Sequence, residues 1–171
     1  MTRRRRGMRG AEALEFTLNL LPFMIMVVVL VDTSWAIYTK ATLQQAVRMA
    51  VRDGVTVTTT TVSGNLTATV KTMVQQHANG ILNGSTGLGY IKVHYFDQNN
   101  PSSDVSNQTY GNQPGNIMQV SVENYQLHPL MSRFFNWSGT PDASPMNISV
   151  YAADMIEPMA SNLVPPIGPA P

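Results

Sequence analysis

The chain contains no cysteine, which excludes disulfides, thiolate metal sites and a thiol nucleophile. It leaves the compartment open. Charge is scarce as well: 12% of the 171 residues are Asp, Glu, Lys or Arg, against roughly 25% in an average soluble domain. A polar surface must then come from Thr, Asn, Ser and Gln, which suits a lightly charged, exported exterior. His77, His94 and His128 stand far apart, in no metal-ligand spacing. Asp97-Gln98-Asn99-Asn100 opens like a calcium loop, but Pro101 takes its fifth position and no glutamate its twelfth, so a solvated turn is the simpler reading. Gly84-Ser85-Thr86-Gly87-Leu88-Gly89 lacks the Lys-Ser/Thr of a phosphate loop and reads as a turn before a strand. Nothing in the spacing draws Ser, His and acidic residues together. No enzyme, no metal and no cofactor is expected.

What the chain does have is concentrated at its N-terminus. Arg3, Arg4, Arg5, Arg6 and Arg9 are five of the eleven basic residues, and the residues after Gly10 carry six basic groups against ten acidic. The formal net charge of +1 therefore hides a basic head on an acidic remainder, and gives no reason to expect nucleic acid as a partner. Residues 16–31 carry no charge and would span about 24 Å as a helix. A hydrocarbon core of about 30 Å needs some 20 residues. The span is completed by taking Glu15 or Asp32 into its edge or by using Thr33 to Tyr38. Trp35 and Tyr38 suit an interfacial aromatic belt, and the arginine head fixes the N-terminus in the cytoplasm. The lipid bilayer is thus the first partner, with a single N-in pass and an exterior C-terminal domain. A cleaved secretory signal is the alternative. Glu12 and Glu15 between head and span, and a Trp inside the small-residue triplet 34–36, count against it.

A plain anchor accounts for all of this except Glu15, a carboxylate at the edge of an apolar span. Such a group costs about 2.5–3.5 kcal/mol at mid-bilayer, less near the surface, and is usually paired or functional. Pro22 removes one helical hydrogen bond and should kink the span. Asp32 either marks the outer interface or pairs with a partner helix.

Gly10-Ala11-Glu12-Ala13-Leu14-Glu15-Phe16 resembles the class III signal of type IVb pilins and pseudopilins, a glycine followed by four residues and then Glu-Phe or Glu-Tyr. Together with the arginine head, Pro22, Asp32, Trp35, Tyr38 and Leu43-Gln44-Gln45-Ala46, residues 4 to about 54 look like a TadE-like minor pseudopilin of a tight-adherence (Tad) pilus system. The resemblance implies cleavage between Gly10 and Ala11 by a prepilin peptidase that recognises Glu15 and Phe16. It implies that Glu15 neutralises the new Ala11 ammonium of a neighbouring subunit. It also implies other pilins and an inner-membrane assembly platform as partners, in a bacterial inner membrane, for pilus assembly and adhesion. A type II secretion pseudopilin and a single-pass ligand-binding envelope protein are the rival readings.

Beyond the membrane the expected class is α+β. The divisions are a leader (1–10), a transmembrane helix (11–38), its extension (39–54), an exterior domain (55–157) and a proline-rich disordered tail (158–171). Leu43, Val47, Ala50 and Val51 share a helical face ended by Asp53-Gly54. Residues 55–62 have high β propensity and read as an extended segment, with a threonine-rich linker as the alternative. Ser63 suits the N-cap of a second helix whose apolar face is Leu66, Val70, Met73, Val74 and His77, closed by Asn79-Gly80. Alternation marks strands at Ile91–Phe96, Met118–Glu123 and Ile148–Ala152. A polar loop, 97–116, separates the first two. A short helix with an apolar cluster is expected over 129–137. Helices on one face of a small antiparallel sheet, a pilin-like layout, is the expected architecture.

Overall fold

The computed structural model describes residues 8–57, 65–108, 111–129 and 145–157. The short helix expected at 129–137 falls almost wholly outside them, as do Ser63, the proline-rich tail and most of the β-prone run 55–62. The elements are α1 (Met8–Gly54), α2 (Leu66–His77), α3 (Gly84–Tyr90), β1 (Ile91–Phe96), β2 (Ile117–Leu127) and β3 (Met146–Met155). The α+β class is therefore as expected. The described residues divide into two units, one containing 8–37 and 128–129 with 145, the other 38–57, 65–108, 111–127 and 146–157.

In the first unit α1 is helical through Pro22. Its apolar side chains are bare: Leu14, Phe16, Leu18, Leu21, Phe23 and Met26 are all 60% or more exposed. No soluble core accounts for such a surface. Thr17, Thr33 and Ser34 each donate their hydroxyl to the carbonyl four residues back, at 2.7–2.8 Å, so their polarity is absorbed by the helix itself.

In the second unit the last four turns of α1 and all of α2 cover a three-stranded antiparallel sheet of order β1-β2-β3. Leu43, Ala46, Val47, Ala50 and Val51 are buried on α1, and Leu66, Val70 and Val74 on α2. The sheet meets them with Ile91, Val93 and Tyr95, with Met118, Val120 and Val122, and with Ile148 and Val150. The register Val93↔Val120↔Ala152 places these alternating residues in rows on one face. At Gly54 the helix comes so close to the core that an added Cβ would lie 2.8 Å from both Met118 Cε and Val70 Cγ2. Gln44 ties α1 to the outer strand by donating to the Tyr151 carbonyl at 2.9 Å.

Several local expectations need correction. Residues 55–57 form a turn that continues from α1, with Val55 N–H donating to the Val51 carbonyl at 3.0 Å. Burial of Val55 and Val57 against the core outweighs their β propensity. The N-cap of α2 is Asn65, whose side-chain oxygen accepts from Thr67 N–H at 2.9 Å. His77 is not a buried packing residue: it is about one-third exposed and lies 3.6 Å from Asp53. Residues 84–89 form α3 instead of a plain turn. Gly87 makes this possible, since a Cβ there would sit 2.4 Å from the Leu82 carbonyl carbon. The second strand runs on to Leu127 through a bulge at Glu123 and Asn124. Asn124 takes a φ of 54° and donates its N–H to Ser149 Oγ. One extra residue moves inward-facing positions from even to odd numbers, so Leu127 is buried where a strict alternation stops at 123.

Candidate functional site

The candidate site is the exposed N-terminal half of α1. Arg3, Arg4, Arg5 and Arg6 lie outside the described residues; Arg9 is within the helix. Gly10 is helical and open, with nothing within 4 Å of an added Cβ. Ala11, Glu12 and Glu15 are exposed, and Phe16 is 67% exposed. The segment from Gly10 to Phe16 is therefore one exposed stretch of helix. Glu15 lies four residues beyond Ala11, on the adjacent turn.

Helical geometry groups the polar residues. At 100° per residue, Glu12, Glu15, Asn19 and Pro22 fall within about 80° of one another. Leu20 and Leu21 point elsewhere, while Phe16 and Phe23 border the group, about 60° and 40° from Asn19. Pro22 has no N–H, so the Leu18 carbonyl loses its usual donor four residues on. Further out, Asp32 is partly exposed, while Trp35 and Tyr38 are 53% and 49% exposed.

The exterior unit supplies structural chemistry. Tyr95 is fully buried and its hydroxyl lies 3.0 Å from the Thr67 hydroxyl, linking β1 to α2. Burial raises the Tyr95 phenol above its ordinary 10.0, opposed by the Thr67 bond. Burial also raises Tyr125, with a smaller contribution from Tyr90, whose ring stands edge-on at 5.5 Å. In the polar loop, Asp104 is held below its ordinary 3.8 chiefly by hydrogen bonds from Ser106, and further by His94, which lies 3.1 Å away. Asp97 Oδ1 accepts from Asn99 N–H at 2.7 Å, and Asp104 Oδ1 from Ser106 N–H at 2.8 Å. These side chains organise their own turns. Among the described residues no group of three His, Cys, Asp or Glu could hold a metal.

Asn19 has no signal beyond its residue type within an apolar run, and reading that run only for charge passes over it. Its importance emerges once the hydroxyls of Thr17, Thr33 and Ser34 are found bonded to their own helix and its amide is not.

Among the described residues one helix is long and apolar enough to cross a membrane, which fits a single-pass anchor. No curated protein and no solved structure matches the chain. A family model does: TadE-like protein, over residues 10–52. That match begins at the glycine of the N-terminal motif and takes in Glu15, Pro22, Asp32 and the helix extension, so the resemblance of this stretch to TadE-like proteins is shown across residues 10–52.

Proposed function

We propose that the chain is a minor pseudopilin that takes part in assembling a Tad-type pilus for adhesion. The role is structural, carried by a membrane helix and an exterior domain, with no catalysis of its own. The carrying observation is the Gly10–Phe16 motif at the start of an unbroken, exposed helix, inside the stretch that matches TadE-like proteins.

In this reading a prepilin peptidase of the bacterial inner membrane cuts after Gly10 on the cytoplasmic face. The cut removes the arginine head, and with it attraction to anionic lipid of about 1 kcal/mol per residue near the surface. It also creates an ammonium on Ala11. Glu15 of one subunit neutralises the Ala11 ammonium of a neighbouring pilin, which sets the axial register of the two helices. At the membrane edge the attraction of the two charges offsets their desolvation where the pair is close and its remaining polar atoms are hydrogen-bonded. The assembly platform then takes the helix out of the bilayer.

Mass spectrometry of the membrane-bound protein tests the first step. A chain beginning at Ala11 is expected. An intact Met1 start in cells with an active prepilin peptidase would overturn the proposal, and a start near Ile37 would show an exported domain instead.

A further inference from the structure

Within the uncharged run 16–31 of α1, Asn19 is a polar side chain that the helix does not satisfy. The hydroxyls of Thr17, Thr33 and Ser34 all bond to carbonyls of their own helix. The Asn19 carboxamide is exposed and has no hydrogen-bond partner among the described residues. It lies three residues inside the uncharged run, about 4.5 Å beyond Phe16 along the axis. In hydrocarbon an unpaired amide is costly, and water is not available deeper in the span to relieve it.

The surroundings of Asn19 specify what can relieve it. Asn19, Pro22, Met26, Val29 and Thr33 are spaced by three, four, three and four residues, the seam of a left-handed helix pair. Because Pro22 donates no N–H, the Leu18 carbonyl lacks its usual helical donor, which leaves an acceptor one residue from Asn19 in the chain. Thr33 bonds inward to the Val29 carbonyl and so has its donor already engaged. A single Asn at such a seam position is a known means of fixing the register of a parallel pair.

We propose that Asn19 joins two copies of this chain side by side in the membrane. A carboxamide both donates and accepts, so it is complementary to itself. Two copies inserted in the same orientation bring Asn19 opposite Asn19 at equal depth. The two amides exchange hydrogen bonds, and each Leu18 carbonyl offers a further acceptor. Glu12 and Glu15 lie on the same seam toward the cytoplasm, where their like charges meet at the hydrated end of the helix. The contact therefore closes from Asn19 outward, over Met26 and Val29. This pairing is independent of the pilin reading and of cleavage after Gly10.

The absence of cysteine makes the test direct. Full-length Met26→Cys and Met24→Cys variants are inserted in bacterial inner membranes and oxidised with a membrane-permeant copper complex. Met26 shares the face of Asn19, and Met24 lies on the opposite side at similar depth. Disulfide-linked dimer is expected for Met26→Cys and little for Met24→Cys. Adding Asn19→Leu to Met26→Cys should weaken association about five- to thirtyfold, the effect of losing an interhelical amide contact of ordinary strength. Asn19→Gln, which keeps the amide, should retain most of the pairing. Equal cross-linking from both faces, full dimerisation of the Asn19→Leu chain, or linkage only to other proteins after a further cysteine is supplied would each overturn the proposal.

Discussion

The bond between the Tyr95 and Thr67 hydroxyls joins the first strand to the second helix, and its removal has a calculable cost. Tyr95 is 0% exposed and Thr67 3%, so neither hydroxyl can turn to water when its partner is lost. A neutral hydrogen bond contributes about 0.5–1.5 kcal/mol net, but a buried group left without a partner costs about 1–3 kcal/mol. Tyr95→Phe leaves the Thr67 hydroxyl stranded, and Thr67→Val does the same to the Tyr95 hydroxyl. Each single change should therefore lower stability by about 2 kcal/mol. The double variant strands neither group and should lose only about 1 kcal/mol, far less than the two single losses added. Urea unfolding of the full-length protein in detergent, followed by near-ultraviolet circular dichroism, measures all four corners of the cycle. A coupling below about 0.5 kcal/mol would mean that the hydroxyls act independently, and the reasoning would be refuted.

The other expectations concern pH, packing and assembly. Because burial raises the folded-state pKa of Tyr95 above 10.0, its contribution is complete below pH 10 and is lost as pH rises through the folded value; Tyr95→Phe should flatten the alkaline limb of a stability–pH curve. Thr39 is 1% exposed and its hydroxyl has no partner, so Thr39→Val should raise the urea midpoint, by about 1 kcal/mol in stability. An unchanged or lower midpoint would count against that account. Gly87→Ala drives a Cβ against the backbone of Leu82; a loss of about 2 kcal/mol is expected despite the better helix propensity of alanine, and a stabilised variant would show that the close approach is relaxed in solution. Glu15→Ala should insert and be cleaved normally but enter pili poorly, read by comparing its amounts in membranes and in sheared filaments; incorporation at the wild-type level would eliminate the charge-pairing role.

The bare half of α1 was readable from residue order alone, because a lipid-facing helix needs only a run of apolar side chains and no particular neighbour. The same holds for Gly10, Ala11, Glu15 and Phe16, whose meaning lies in local spacing. The buried faces at Leu43, Val47 and Ala50, and at Ile91, Val93 and Tyr95, followed from the helical and extended periods. Where one residue interrupts a period, sequence reading stopped. The bulge at Asn124 resets the inward face of the second strand, and no alternation rule carries across an inserted residue. The cap of α2 falls at Asn65 and not at the expected Ser63, because capping depends on where the chain enters the helix.

Tertiary structure alone decided the rest. Gly87 permits a helix at 84–90 because the Leu82 backbone passes against it, and Val55 and Val57 turn inward because the core is there to receive them. His77 meets Asp53 only because two helix ends are brought together. Asn19 shows the division most clearly. Its presence in an apolar run is a fact of sequence, but its unsatisfied amide and the neighbouring hydroxyls' internal bonds are facts of three-dimensional geometry. Local patterns determine which segments must leave water. Which polar groups then lack a partner depends on distances that only the folded chain sets.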